Sequence, residues 1–334
     1  MNARVDPITL GVVWGALQSI AVEIGTTVHK TAYSEHAREG QDFSVAVFDA
    51  QGRMVAQGPY SPGHMGAMSF AVRNALAAHP VETLKPGDAI LLNDPLLGSG
   101  HLPDFFITQP AFHRGALIGF AVNILHHTDV GGARPGSQAV EGIFDYYQEG
   151  LRIPPTKVWQ EYREHEGIVG IIAANTRTPD KVLGDLRAQR SALHVGELRL
   201  TELAERYGRD TLFAAMDAIV ARTEANMRAA IRAVPDGVYR FEDFLDDWGP
   251  STDPVRVAVQ VTVAPCATET GVQLTLVVLP RLTENVCALE RPPPGVGLTT
   301  VIRKLPMVVR SLAGIAAVNC VELTKVVTRG DPAN

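Results

Sequence analysis

Ala89-Ile90-Leu91-Leu92-Asn93-Asp94-Pro95-Leu96-Leu97-Gly98-Ser99-Gly100-His101-Leu102-Pro103-Asp104 is the stretch whose reading decides the fold. Four apolar residues that read as a strand stop at a turn rich in Asn, Asp, Pro and Gly. A second segment repeats the plan. Ala116 to Leu125 is an apolar run, and His126-His127-Thr128-Asp129-Val130-Gly131-Gly132 follows at once. Polar side chains placed just beyond strand ends are accessible yet held by a rigid scaffold. The glycines let the backbone turn tightly and approach a bound group. The expected fold is therefore α/β (α+β mixed), with an N-terminal domain that carries site loops at its strand ends. A helical segment and a partial β-rich second unit should follow.

The two segments bring together His101, Asp104 and His126, two imidazoles and one carboxylate. That donor set with open positions suits Mn²⁺ first, with Fe²⁺ or Zn²⁺ as alternatives, since no thiolate joins it. A bound ion of this kind polarises a carbonyl or lowers the pKa of a water. His-x-x-Asp alone is common in polar loops; the second histidine turn is what sharpens it. Consecutive residues of an extended segment point to opposite sides. His127 is therefore read as a general acid/base or substrate contact rather than a ligand. Asp129 either orients a liganding imidazole from behind or simply starts the Val130-Gly131-Gly132 turn. His64, in Ser61-Pro62-Gly63-His64-Met65-Gly66, faces the same pocket or caps a helix. Asp42 and Asp49 flank a strand and read as structural. Arg177 and Asp185 meet an anionic substrate or are solvated helix charges. His36 carries no supporting pattern.

Working outward, Asp6-Pro7 starts a helix, with the carboxylate as N-cap and proline at the first helical position. Phe43, Val45 and Val47 alternate as in a strand, and Asp49-Ala50-Gln51-Gly52 turns it into Arg53-Met54-Val55-Ala56-Gln57. Met65 to His79 reads as a helix. Thr178-Pro179 opens another toward Tyr207, with Gly208 as C-cap. Leu212, Phe213, Met216, Ile219, Val220, Met227 and Ile231 form the stripe of the next. Tyr239 to Phe244 and Val255 to Val263 read as strands. The divisions expected are 1–175 for the metal-site domain, 176–236 for the helical segment, 237–279 for the β-rich unit and 280–334 for an atypical tail. That tail holds no Phe, Tyr, Trp or His and a surplus of Arg and Lys; it reads as a basic surface segment or, more sharply, as the product of a shifted reading frame.

The 334 residues suffice for two domains, and 46% hydrophobic with 20% charged residues is ordinary for a globular chain. A formal charge of -6 argues against a nucleic-acid partner. Three cysteines without a C-x-x-C spacing make neither a disulfide framework nor a zinc finger. The N-terminus lacks an apolar signal core, and there is no unbroken run of eighteen apolar residues; the expectation is a cytoplasmic protein with no membrane partner. Phosphate-loop, dinucleotide, G-x-S-x-G and H-E-x-x-H signatures are absent.

Several of these pieces together resemble one family. They are Asp42-Phe43-Ser44-Val45-Ala46-Val47-Phe48-Asp49 with Gly52, Pro62-Gly63-His64-Met65-Gly66, Asn93-Asp94-Pro95 with Gly98, and His101-Leu102-Pro103-Asp104. His126-His127-Thr128-Asp129-Val130-Gly131-Gly132, Glu149-Gly150-Leu151-Arg152-Ile153-Pro154-Pro155 and Gly184-Asp185-Leu186 with Gln189 complete the set. The chain resembles the hydantoinase B/oxoprolinase family over roughly residues 7–265, and is similar to the metal-carrying subunit of acetone carboxylase. The resemblance implies a hetero-oligomer with a hydantoinase A-type partner that uses ATP to phosphorylate an amide, urea or ketone oxygen. This subunit would complete the reaction at its metal, whose ligands in the carboxylase branch fall on His101, Asp104 and His126. The leading expectation is a cyclic-amide hydrolase subunit of the hydantoin or 5-oxoproline type. The alternatives are a ketone carboxylase subunit and a truncated, non-catalytic remnant. The chain departs from the pattern at Gly40-Gln41, where family members usually carry a charged residue, and those members continue past its end.

Overall fold

The protein is seen here as a computed structural model that describes residues 5–98, 100–138, 142–143, 145–245, 254–265, 270–279, 315–319 and 326–328. Helix α1 (Pro7–Thr31) starts as its sequence directs: the Asp6 carboxylate accepts from the Ile8 and Thr9 N–H groups at 3.0 Å. By length and composition α1 is apolar enough to cross a membrane. In the fold its stripe Val13, Leu17, Ile20, Ile24 and Val28 lies buried in the core, while Ile8 and Val12 are exposed. A short α2 (Glu35–Arg38), capped by Ser34, leads to β1 (Phe43–Phe48) and β2 (Met54–Gln57). The carboxylate of Asp49 accepts from Gln51 N and Arg53 N and so closes the turn between them. Then come α3 (Met65–Ala78), β3 (Ala89–Leu92), β4 (Asp104–His113), β5 (Ala116–His126), β6 (Thr156–Gln160) and β7 (Arg163–Glu164). Helices α4 (Glu166–Ala174), α5 (Pro179–Tyr207) and α6 (Arg209–Arg232) complete this half of the chain.

The seven strands form one antiparallel sheet in the order β2-β1-β5-β4-β3-β6-β7. Helices cover both of its faces. Phe43, Val45, Val47, Phe105, Ile107 and Leu125 pack with α1 and α5. Ala46, Phe48, Phe106, Phe120, Val122 and Ile124 pack on the other side with α3. A strand buried on both faces reads as an unbroken apolar run instead of an alternating one. Strand β4 is buried along most of its length although Asp104, Thr108 and Gln109 interrupt its apolar run.

The mixed α/β class is as expected, and its antiparallel sheet with helices on both faces positions the site at one end of three adjacent strands. The chain divides into two compact units, one of residues 1–139 and 145–221, the other of 140–144 and 222–334. The break expected at residue 175 is thus displaced. Helix α5 is no separate segment: Val182, Leu186, Leu193 and Leu200 are wholly buried in the sheet's core, so the first unit runs through it. The second unit holds an antiparallel sheet in the order β12-β11-β10-β9-β8, where β8 is Gly237–Leu245, β9 Val255–Pro265, β10 Thr270–Leu279, β11 Ile315–Asn319 and β12 Val326–Thr328. Apart from β11 and β12, the tail set apart at 280–334 lies outside the described residues.

Candidate metal centre

Sheet register builds the site. Asp104, the first residue of β4, sits directly across from His126, the last of β5. Cross-strand partners of this kind project from the same face. On the other side of β5, Phe43 pairs with Leu125, and the His126 N–H donates to Asp42 O at 3.0 Å. Three neighbouring strand ends therefore place Asp42, His126 and Asp104 in one row. His101 comes from the turn before β4, which the Asp104 N–H closes onto His101 O at 3.1 Å. The turn is stapled from below. Fully buried Asn93 donates to Leu102 O at 2.6 Å and to Leu151 O at 2.8 Å, and accepts from Ile153 N at 2.6 Å. The Glu149 carboxylate accepts from Leu102 N at 3.1 Å. A Cβ on Gly100 would lie 2.6 Å from Asp104 Oδ2, so any larger residue there would displace that carboxylate.

The donor atoms of His101, Asp104 and His126 all fall within 4.8 Å of one another. His101 Nε2 is 3.4 Å from Asp104 Oδ1, and the His101 and His126 rings are 4.8 Å apart. Three donors at metal bond lengths of about 2.1 Å in a tetrahedral or facial set lie roughly 3.0–3.4 Å apart, so closure on an ion asks the widest pair to contract by about 1–2 Å. Nδ1 of His126 is buried and has no hydrogen-bond partner among the described residues, while Gln138 Nε2 lies 2.6 Å from its Nε2. The Nδ1 atoms of His29, His36 and His127 are likewise buried without a partner among the described residues, so what marks His126 is the convergence of donors and not the unpartnered nitrogen. The protonation states of Asp104 and His126 suit a cation, whereas His101 is drawn toward its protonated form and must give up that proton to ligate. Burial pulls His101 down, but the hydrogen bond and charge of Asp104 outweigh it, with help from Glu149 and Asp42, and its pKa ends above the usual value. Burial raises Asp104, yet His101, His64 and His126 carry it below the ordinary carboxylate range. Burial first, and then the charge of His101, push His126 down to about 4. At neutral pH this leaves Asp104 ionised and His126 neutral, the forms in which both donate to a metal.

Other side chains gather here. His64 Nε2 is 4.0 Å from Asp104 Oδ1 and 3.7 Å from Asp42 Oδ1, and its Nδ1 is 3.4 Å from Ser44 Oγ. His64 thus faces the same pocket. His36 stacks on His126 at 5.0 Å from helix α2. His36 and Asp42 escaped the sequence reading because their place depends on the pairing of β1 with β5. The available signal was that Asp42 opens one strand as His126 closes another.

His127 needs correcting. It is completely buried on the opposite side of the strand, its Nε2 2.9 Å from Gln189 Oε1 and its ring 4.2 Å from that of Phe105. A residue enclosed by α5 and the sheet has no access to a substrate at His126. Asp129 is also removed from the imidazoles. Its carboxylate accepts from the Arg177 guanidinium at 2.7 Å, Arg177 N at 2.6 Å, Thr176 Oγ1 at 3.0 Å and Gly136 N at 3.1 Å. This clasp fixes the turn and occupies Arg177. Asp185 is no surface charge: it is wholly buried and accepts from the Tyr33 and Ser34 N–H groups at 2.6 and 3.1 Å.

The caprolactamase subunit beta of Pseudomonas jessenii is 36% identical over 259 residues, 78% of this chain and 44% of its own length. The 5-oxoprolinase 1 of Arabidopsis thaliana is 34% identical over 70% of this chain and 19% of its own. The crystal structure of the ATP-dependent caprolactamase from Pseudomonas jessenii superposes with a TM-score of 0.70 at 35% identity, over 78% of this chain and 45% of that one. Nucleotide-free acetone carboxylase shares the fold, with a TM-score of 0.68 at 22% identity over 78% of this chain and 36% of its own. The chain spans less than half the length of these relatives. Residues 6–273 match the Hydantoinase B/oxoprolinase model, and the chain belongs to that family.

Proposed function

We propose that this chain is the metal-holding subunit of an ATP-dependent cyclic-amide hydrolase that works in the cytoplasm with an ATP-using partner of the hydantoinase A type. The observation that carries the reading is the convergence of His101, Asp104 and His126 at paired strand ends. The names of the caprolactamase and 5-oxoprolinase relatives support the reaction class. The three residues would hold a divalent ion, Mn²⁺ first, with Fe²⁺ or Zn²⁺ as alternatives. Bound there, the ion would polarise the amide carbonyl or acidify a water.

The chain's own residues supply the rest. Asn93 and Glu149 keep the His101 turn in place. His64, with Nε2 turned toward Asp42 and Asp104, takes the proton-handling role in place of His127. A ring amide is a poor electrophile because of its resonance. Phosphorylating its oxygen in the partner subunit would create a leaving group, which explains the need for ATP.

Metal content by mass spectrometry on the purified chain, beside His101→Ala and Asp104→Ala, tests the site. About one equivalent is expected in the wild type and none in either variant. A folded wild type that takes up no ion would sink the ligand assignment. With the partner present, ring opening should cease when ATP is left out. Turnover of a ketone with bicarbonate, and of no cyclic amide, would replace this reading by the carboxylase one.

A further inference from the structure

His126 offers two nitrogens, and only one of them can face an ion. A neutral imidazole carries one N–H and one lone pair, so the ligating nitrogen is bare and the other holds the proton. The sheet indicates which is which. The His126 N–H donates to Asp42 O, on the β1 side of the strand, and the His127 N–H to Pro103 O, on the β4 side. In an antiparallel sheet the N–H and C=O of one residue point the same way. His126 and Asp104 are therefore partners of the non-hydrogen-bonded kind, whose Cα atoms lie closest and whose side chains stand side by side. Both residues are 2% exposed. Asp104 Oδ1 and His126 Nδ1 are each one bond beyond Cγ and have equal reach from the backbone; His126 Nε2 stands farther out. Asp104 Oδ1 is the oxygen turned to the histidines, 3.4 Å from His101 Nε2 and 4.0 Å from His64 Nε2, while Oδ2 lies on the Gly100 side.

The outer nitrogen is already engaged. Gln138 Nε2 lies 2.6 Å from His126 Nε2, whereas His126 Nδ1 meets no hydrogen-bond partner among the described residues. Ser137 brings Gln138 there. It is buried, and its hydroxyl accepts from the Val130 N–H at 2.8 Å and donates to Gly131 O at 2.9 Å. The loop that carries Gln138 is thus tied to the turn that leaves His126. His36 stacks on the His126 ring at 5.0 Å with 29° between the planes, so one face of the ring is held as well as its outer edge. With the amide nitrogen turned to the ring, Gln138 donates to Nε2 and the ring proton sits on Nδ1, which closes that atom to an ion. The two ends of a side-chain amide are nearly the same size, and a half-turn presents the carbonyl instead. That orientation accepts a proton on Nε2 and bares Nδ1.

We infer that His126 ligates the ion through Nδ1, and that Gln138 is its positioning residue, whose side-chain carbonyl accepts the Nε2 proton and fixes the tautomer the ion requires. The half-turn of the amide and the transfer of the ring proton from Nδ1 to Nε2 go together, and the imidazole stays neutral throughout. A ligating histidine commonly gives its second N–H to a carbonyl or carboxylate, which orients the ring and raises its basicity. Gln138 supplies that partner from a loop that holds none of the three ligands. The inference rests on the reading of His101, Asp104 and His126 as the ligands, and it holds whichever ring the enzyme opens.

The test loads the full chain, its histidines labelled with ¹⁵N, with Zn²⁺, a diamagnetic ion that suits imidazole donors. Long-range proton–nitrogen correlation spectra should show the His126 ring protonated at Nε2 and ligated at Nδ1, its signals being identified by their absence from His126→Ala. Zn²⁺ affinity is then measured by competition with a chelator. Gln138→Leu, which has no acceptor, should bind about 10- to 100-fold more weakly. Gln138→Glu, which keeps one, should match or exceed the wild type. Gln138 is exposed, so denaturant melts of both variants should overlay that of the wild type. Ligation through Nε2, or wild-type affinity in Gln138→Leu, overturns the inference and leaves the three ligands standing. Equal losses in the two variants overturn it in the same way, since a merely structural role would not distinguish leucine from glutamate. A folded wild type that takes up no Zn²⁺ overturns the ligand assignment, and this inference with it.

Discussion

His126 and His127 are adjacent in sequence and belong to different parts of the molecule. The front of the strand end, where His126 points, is an assembly of imidazoles and carboxylates whose donor atoms converge. The back, where His127 points, is closed. Gln189 bridges His127 Nε2, Phe105 O and Asn123 Oδ1, and Phe105 packs on the imidazole. Burial lowers the pKa of both histidines. Burial, a perturbed pKa and a buried Nδ1 without a partner among the described residues are common to both, and do not separate a ligand from a structural residue here; what does is whether the neighbouring side chains form a convergent set of donors.

That contrast can be broken by exchanging its outcomes. His126→Ala should lose metal most severely, with affinity falling on the order of 100-fold or more, and also gives up the Gln138 contact at 2.6 Å, so its loss of metal is read in the folded fraction. Metal mass spectrometry after dialysis, beside a denaturant melt, reads both. His127→Ala should behave in the opposite way. It leaves a cavity beside Phe105 and strips Gln189 Oε1 of its partner, so a loss of about 2–4 kcal/mol in unfolding free energy is expected, with metal stoichiometry retained in the folded fraction. If His127→Ala released the metal at unchanged stability, front and back would have been assigned the wrong way round.

Much of the first unit was legible because its local signals agree. Asp6-Pro7 opened a helix, Asp49 to Gly52 turned a hairpin, and Gly208, at φ 81, ended α5. The three ligand types were legible because two glycine-rich turns follow apolar runs. His36 and Asp42 were not, since neither lies in those turns; the register that sets Phe43 against Leu125 brings them in from some 80–90 residues upstream. Asp185 and Arg177 read as substrate contacts or solvated helix charges, and are neither, because helical position alone does not reveal which backbone amides or carboxylates come within reach. The same limit applied to Asp129, whose partners Thr176 and Arg177 lie 47 and 48 residues away.

The Asp129 clasp gives the smallest expected effect, and one whose pH dependence has a definite sign. Burial raises its pKa, but the Arg177 N–H, the Arg177 guanidinium, Thr176 and Gly136 outweigh burial and hold it below the ordinary carboxylate value. A carboxyl group with a lowered pKa in the folded state stabilises the fold above its unfolded value, near 3.9, and loses that contribution as pH falls through the folded value. Asp129→Asn cannot ionise and lacks the contribution at every pH. The stability gap between wild type and variant should therefore be steady from about pH 5 to 8 and close below about pH 4. Its size should be about 1–2 kcal/mol, reduced by solvent screening because the Arg177 side chain is 41% exposed. Denaturant melts across that range decide the matter: a gap that widens in acid would show that Asp129 acts otherwise than as an ionised anchor. Metal content should be unmoved in the folded variant, because no contact joins Asp129 to His126 among the described residues. Loss of the ion in Asp129→Asn would instead place this carboxylate with the front of the strand end, and the division between ligand-holding and turn-holding residues would have to be redrawn there.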